Sequence, residues 1–442
     1  MKIAVKIRVI GLLGIFLFGS ALNAQKLKRR ASWEARITTP MNAQPGAIIK
    51  SISDNSPLQK AGFLPKDIIV KVDGTIITDE NVWSDVTYGL RADIPIKIEV
   101  IRGHESIRAD VRFNPLEKES HEGIDTFYEE ITSTYGITQR TIVTRPKKEG
   151  RQPAIILIGG LSCSSIETYP GRSGNWSRTI KELVEKSDMV VMRVEKPGVG
   201  DSEGSCSQSD FLMDLAGYKA AILSLKSKAY VDTSRIVVYG SSMGSALAPL
   251  LANAYNLRGI ISDGTFFKTW YEHMLEIERR ILQFRGDNET QIVEKMNNYY
   301  IPLYFGMLIQ KKTYEEVVNE YPALSQFNYH GPKHMYGRPV RYYHQLQDFN
   351  LAGEWEKIKA PVRIMRGTND WIMSAYDNFM ILDVLKRNGH QDYLLLEYPG
   401  LDHWNTIHKT AKDSFDGEEG IWDEKTILQI VEWAQEIVGL KS

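Results

Sequence analysis

Residues 236–244 read Ile-Val-Val-Tyr-Gly-Ser-Ser-Met-Gly, an apolar strand running directly into G-x-S-x-G, and Ala246-Leu-Ala-Pro-Leu-Leu-Ala252 continues as a small apolar helix. A chain with this junction has to turn sharply from strand to helix, and it places a serine on the turn. A hydroxyl is a poor nucleophile at neutral pH, so it has to project where a base can reach it. Glycine at 240 and 244 removes side chains that would collide inside such a turn. The register makes Ser242, rather than its neighbour Ser241, the attacking residue. An ordinary Gly-Ser turn is the alternative reading of the same residues.

The chain has 442 residues, 43% of them hydrophobic and 25% charged, which suits two or three domains with a sizeable core rather than a disordered chain. With 54 Lys+Arg against 55 Asp+Glu, no global field draws it to nucleic acid or to an anionic membrane. Lys2, Lys6 and Arg8 precede the apolar stretch Val9 to Phe18, and small residues follow up to Ala24. That pattern predicts a signal peptide over residues 1–24 and hence an exported protein, periplasmic or secreted. The apolar run is shorter than the ~20 residues of a spanning helix, so no stable membrane span is expected after signal removal; an uncleaved anchor is the alternative. Just beyond the expected cut, Lys26-Leu-Lys-Arg-Arg30 is unusually basic.

Residues 33–116 form a strand-rich block. Ala47 to Ile52 and Asp67 to Val72 read as strands, Asp73-Gly74 as a hairpin turn, and Ile96 to Ile101 with Ser106 to Phe113 as a closing pair. Ser56-Pro-Leu-Gln-Lys-Ala-Gly62 reads as a short helix stopped by glycine. With Gly46-Ala-Ile-Ile49, Ser56-Pro57, Ala61-Gly62, Leu64-Pro-Lys-Asp-Ile68 and Val72-Asp-Gly74 in this order, the block resembles a PDZ domain of the bacterial exported type. The resemblance implies a small mostly-β domain that captures peptide carboxyl ends by strand addition. Thr38-Thr-Pro-Met-Asn-Ala-Gln44, where the carboxylate loop belongs, lacks the usual glycine, so an architectural or docking role stands beside peptide capture. Glu117-Lys-Glu-Ser-His-Glu122 reads as a short charged linker.

From residue 124 to 442 strands alternate with amphipathic segments. Strands are expected near Thr141–Thr144, Ala154–Ile158, Met189–Val194, Ile236–Tyr239, Gly259–Ser262, Val362–Met365 and Tyr393–Tyr398. This order predicts an α/β fold, a parallel sheet covered by helices on both faces, with ligands at the carboxyl ends of the strands. Gly159-Gly160-Leu161-Ser162 follows one strand, Lys196-Pro-Gly-Val-Gly-Asp-Ser-Glu-Gly204 the next, and an aspartate and a histidine follow late strands. In these landmarks, added to Ser242, the segment resembles the α/β-hydrolase superfamily of serine esterases and peptidases.

The resemblance implies a Ser, Asp, His order along the chain. Asp370, after Val362-Arg-Ile-Met-Arg-Gly-Thr-Asn369, matches the family's acid position, with Asp263 as its rival. His403 in Pro399-Gly-Leu-Asp-His403 is the expected general base; His408 is the fallback, and Asp402 is read as a turn residue. Two backbone amides would hold the oxyanion: Met243 N–H and Leu161 N–H, or Gly160 N–H in place of the latter.

Between Asp263 and Lys359 lies a long insertion, carrying ten of the chain's 21 tyrosines, which predicts a helical lid over about residues 265–355. His330 and His334 flank Gly331-Pro332, which denies them a shared helical face, so no metal site is expected. The only cysteines, Cys163 and Cys206, fall in loops after neighbouring strands, and an export signal predicts a bridge between them, two buried free thiols being the alternative. The expectation is a cofactor-free exported serine hydrolase acting on small acyl esters through an acyl-enzyme. Two alternatives are a serine peptidase of aminopeptidase or prolyl-oligopeptidase type and a non-catalytic binding protein. For a peptidase, Glu276 or Glu278 would be candidates to anchor a free amine.

Overall fold

The computed structural model describes residues 27–38, 45–327 and 330–441. The expected export signal over residues 1–24 and most of the expected carboxylate loop, residues 39–44, lie outside the described residues.

The N-terminal domain is an antiparallel six-stranded sheet ordered Ala35–Thr38, Ala47–Ile52, Ile68–Val72, Pro95–Arg102 and Glu105–Arg112, with Thr75–Ile76 paired to Ile68–Val72. Asp73 and Gly74 both take positive φ in the hairpin, as such a tight turn requires. Ser56 caps the short helix Pro57–Lys60 by accepting a hydrogen bond from the Gln59 N–H. A second helix, Glu80–Gly89, was not anticipated from sequence: its apolar residues are few, and it becomes a helix by laying Val82, Trp83 and Val86 against Ile49, Ile69 and their neighbours. Trp33 packs against Trp83 and Phe113, closing this core.

The larger domain contains an eight-stranded sheet in the order Tyr393–Tyr398, Val362–Gly367, Gly259–Asp263, Val231–Ser241, Gln152–Ile158, Val190–Val194, Thr138–Pro146, Ile124–Thr132. The six strands from Tyr393–Tyr398 to Val190–Val194 are parallel to their neighbours. The parallel sheet expected from sequence departs from that pattern at one edge: Thr138–Pro146 runs antiparallel to Val190–Val194, and Ile124–Thr132, unforeseen as a strand, pairs antiparallel with it. Its alternation of half-buried polar residues suits an edge strand and hides it from a search for buried runs. The central strands Gln152–Ile158, Val190–Val194 and Gly259–Asp263 are buried along their whole length. Ile156, Ile158 and Val238 face one layer of helices with Ala246 and Leu251, while Ile155, Leu157 and Val237 face the other with Leu183 and Trp433. The two-residue period of a strand thus supplies two cores from one sheet.

Between the third and second strands of that order, the insertion folds mainly as helices, beginning with Trp270–Phe284, plus a two-stranded hairpin of His334–Met335 and Arg338–Pro339. Trp270, Met274, Tyr300 and Tyr304 join the core on the Ala246 side of the sheet. Cys163 and Cys206 are joined by a disulfide. By loop-closure entropy a bridge of this span contributes about 4 kcal/mol.

The segment 117–122 reads from sequence as a short charged linker, as which it would face water. The structure corrects this: Glu119 is buried and bonds the buried Arg193, and also accepts from the Thr168 backbone and hydroxyl. Burial alone would raise the Glu119 pKa, but the charge of Arg193 and the surrounding hydrogen bonds overcome it and hold the carboxyl well below the usual range. Close by, Arg29 pairs with Glu167 and Asp201, and the Arg91 guanidinium donates to Ser202 O at 2.9 Å. Asp85 of the small domain accepts from Ser205 Oγ at 2.9 Å. The two domains therefore meet through ion pairs of Arg29 and hydrogen bonds of other charged side chains. Removing one member of a buried pair strands the other charge, so Glu119→Gln should destabilise the larger domain by about 3–5 kcal/mol, read as a shift of its urea unfolding midpoint. An unchanged midpoint would show that water reaches Arg193.

Candidate active site

The strand Val231–Ser241 ends inside the molecule and the helix Gly244–Tyr255 begins after only two intervening residues. Ser242 occupies the junction with φ +54°, a left-handed backbone that aims its side chain out of the turn. Its flanking glycines are required by contact, not only by conformation. A Cβ on Gly240 would lie 2.5 Å from Gly244 O, and one on Gly244 would lie 2.2 Å from Ile158 O. Ser242 N–H donates to Asp263 O at 2.9 Å, which ties the turn to the next strand.

Asp370 and His403 come from loops after the two strands on the far side of Asp263. His403 Nε2 lies 2.9 Å from Ser242 Oγ, and His403 Nδ1 lies 2.9 Å from Asp370 Oδ2. Asp370 Oδ1 accepts from the backbone N–H groups of Ile372 and Met373, both at 2.9 Å, so both oxygens of this carboxylate are engaged. Two glycines let the loops approach. A Cβ on Gly264, at φ +52°, would stand 2.8 Å from His403 Cε1, and one on Gly367 would stand 2.2 Å from Leu401 O. Sequence reasoning passed over Gly264, although its place directly after Asp263 at a strand end was the signal.

Burial opposes charge on both partners, yet each remains ionisable in the useful direction. Desolvation lowers the His403 pKa, but Asp370, by charge and hydrogen bond, outweighs it and raises the imidazole above its ordinary value. The same pairing, with the two backbone donors, holds Asp370 below the usual carboxylate value despite burial. Asp263, the rival acid, has its pKa raised to about 6 by burial, opposed by the Ser241 hydroxyl, the His403 charge and the Tyr239 hydroxyl; its backbone carbonyl, not its carboxylate, serves the Ser242 turn. His408 pairs with Asp402 at 3.3 Å. Asp402 Oδ1 accepts from the backbone N–H groups of Trp404 and Thr406, holding the His403 loop.

Met243 is the N-cap of the following helix, at the end where backbone N–H groups have no partner in a preceding turn. Across from it, Gly160 approaches so closely that a Cβ would sit 3.3 Å from Ser242 Oγ. Gly160 and Leu161 belong to the wall of a cavity of about 1020 Å³ that also contains Ser242 and His403. The rest of that wall is largely apolar: Trp176, Trp270, Ile277, Ile281, Trp371 and Met373. Among the described residues lining it, the permanently charged side chains are Arg172 and Arg285, and none is acidic. His330 and His334 are separated in role: His330 lies beside Tyr304 and Tyr336, and His334 Nε2 is 3.0 Å from Ser207 O. Glu276 pairs with Lys268 and Arg280, and Glu278 accepts from the Tyr304 hydroxyl. Sequence reasoning also missed Lys196, whose ammonium donates to Gly160 O and, at 2.9 Å, to Ser162 O beneath the Gly160 loop.

A mostly parallel sheet of this order, with a serine on the turn after its central strand and the acid and histidine on later loops, is the α/β-hydrolase fold, here joined to an N-terminal PDZ domain. Residues 26–113 match the family model described as the PDZ domain. A stretch of 147 residues is 26% identical to the alpha/beta hydrolase domain-containing protein WAV2 of Arabidopsis thaliana, covering 32% of this chain and 44% of that protein, so the match spans less than half of that relative's length. Solved structures that align with the chain include Est1E of Butyrivibrio proteoclasticus with ferulic acid bound, at 15% identity over 71% of this chain and 98% of that one, TM-score 0.45. Another is the Pyrococcus furiosus esterase Pf2001, at 15% identity over 73% and 97%, TM-score 0.43.

The His403 environment makes a direct prediction. Its imidazole, followed by NMR titration, should have a midpoint above 6.5, and Asp370→Asn should move that midpoint down because burial is then opposed only by the charges of Asp263 and Asp402. A midpoint that ignores the Asp370 change would mean the two side chains do not pair in solution.

Proposed function

We propose that the protein is an exported serine esterase. The observation that carries the reading is the continuous chain of hydrogen-bond contacts Ser242 Oγ, His403, Asp370, with 2.9 Å at both links. In this mechanism Ser242 Oγ attacks the acyl carbon as its proton passes to His403 Nε2. Asp370 holds the Nδ1–H tautomer and stabilises the imidazolium. The oxyanion of the tetrahedral intermediate accepts from Met243 N–H and Leu161 N–H. Collapse expels the alcohol, which takes the proton from His403. Water, deprotonated by the same imidazole, then releases the acid and restores the serine. The steps call for no cofactor.

The cavity wall favours an ester over a free-amine peptide. An aminopeptidase needs an acidic anchor for the substrate amine, and the candidates Glu276 and Glu278 are engaged with Lys268, Arg280 and Tyr304 instead of lining the cavity. Its aromatic and aliphatic surface suits an apolar acyl or aryl group, and Arg172 and Arg285 suit a substrate that carries negative charge remote from the scissile bond. The Cys163–Cys206 bridge and the signal-like N-terminus support export to an oxidising compartment, periplasmic or extracellular. The PDZ domain would recruit a peptide or protein partner or serve as a docking module.

A fluorophosphonate probe tests the class: the wild-type protein should be labelled and Ser242→Ala should not. Failure of folded protein to react would favour the non-catalytic alternative. Gly264→Ala should retain the fold yet lower kcat on the order of 10²-fold, since its methyl displaces the imidazole from Ser242. Among p-nitrophenyl esters of equal chain length, those ending in a carboxylate should show the lower KM, and Arg285→Glu should reverse the preference; equal KM values would remove Arg285 from substrate selection.

A further inference from the structure

The Lys196 contacts reach further than packing. Lys196 is almost wholly buried, and its ammonium makes no ion pair with a carboxylate among the described residues. It donates to two main-chain carbonyls of one loop, Gly160 O and Ser162 O. Burying an ammonium that no carboxylate contacts directly is expensive, and here desolvation, only partly offset by the charges of Asp214 and Glu195, depresses its pKa to about 7. A cation kept under that cost, directly behind the loop that faces Ser242, has a role to explain.

Peptide geometry supplies it. In a trans peptide the C=O and the N–H point to opposite sides of the chain, and the described chain has no cis bond. Gly160 O is drawn back onto Lys196, away from the cavity that Gly160 and Leu161 line together with Ser242. The N–H of the same peptide unit, that of Leu161, consequently faces forward into the cavity. A positive charge on the carbonyl side also polarises the peptide and strengthens the N–H as a donor. The neighbouring residue holds the far end of the loop: Glu195 accepts from Ser165 Oγ and, at 3.2 Å, from Ile166 N–H. Between these two anchors Cys163 is bridged to Cys206.

The geometry points to Lys196 as the positioning residue of the oxyanion site: it fixes the orientation of the Gly160–Leu161 peptide so that Leu161 N–H meets the developing oxyanion on the acyl group bound to Ser242. This rests on the serine-hydrolase reading above. Lys196 touches neither substrate nor Ser242 in this role. It acts through the peptide it holds, so its loss should weaken transition-state binding and leave ground-state binding nearly intact.

The test uses the full-length protein with p-nitrophenyl butyrate as substrate and an alkyl boronic acid as the tetrahedral analogue. Lys196→Met, close in length and without a donor, should lower kcat on the order of 10²-fold with KM within about twofold. Its boronate inhibition constant should rise in parallel with the fall in kcat/KM, which a merely loosened fold would not produce. Lys196→Gln, which keeps an N–H donor, should recover about tenfold of the lost kcat and provides the same comparison if the methionine variant does not fold. A folded Lys196→Met protein with wild-type kcat, or a loss confined to KM, overturns the proposal while leaving the esterase reading in place. A wild-type protein that neither turns over the ester nor reacts with fluorophosphonate overturns the underlying reading and this proposal with it.

Discussion

Ser242 is held at φ +54°, a conformation that costs a residue bearing a Cβ on the order of 1–2 kcal/mol, and the local structure is arranged around keeping it there. Its N–H is taken by Asp263 O on the adjacent strand, and the helix that follows is pressed so near Ile158 O that only glycine fits at 244. Strands Gln152–Ile158, Val231–Ser241 and Gly259–Asp263 are thus joined at their carboxyl ends through one turn. The buried apolar faces of these strands provide the rigidity that offsets the strain. Because the turn cannot relax without separating the strands, the hydroxyl has one direction available, and the loops carrying Asp370 and His403 are brought to it.

Close approach of backbones recurs through the site. Gly160 against Ser242, Gly264 against His403 and Gly367 against the Leu401 carbonyl each replace a side chain with contact. The result is a site whose polar groups are positioned by main chain and whose remaining wall is left to large apolar side chains. The charges, by contrast, are gathered behind it. Arg193 with Glu119 and Lys196 on the loop carbonyls lie within the larger domain, and Arg29 with Glu167 and Asp201 ties the N-terminal residues to it. These contacts put the N-terminal arm and the loop facing Ser242 in one electrostatic neighbourhood.

The strand–turn–helix at Ser242 was legible because it is local: a buried strand, two glycines and a small apolar helix within seventeen residues of one another. The strands of the parallel region were legible for the same reason, being continuous apolar runs bounded by turns. Ile124–Thr132 was not, since an edge strand alternates in character and its partner lies across a hairpin. Glu119 read as a linker residue because six charged or polar residues in a row normally face water; Arg193, more than seventy residues later, is what buries it. Lys196 likewise looked like the start of a glycine-rich turn, and only the return of the Gly160 loop over it reveals its contacts.

Sequence alone determined which residue types meet which local backbone: glycine where no Cβ fits, apolar runs where a strand is covered on both faces, and serine on the turn between them. It also set the order in which serine, aspartate and histidine follow the strands. Tertiary structure alone decided the distances: that His403 Nε2 stands 2.9 Å from Ser242 Oγ while His408 is spent on Asp402, and that Asp370 rather than Asp263 takes the Nδ1 side. The physical reason is that hydrogen bonds and buried charges depend on separations between residues far apart in sequence. Only the packing of the sheet, the helical insertion and the buried charged residues sets those separations.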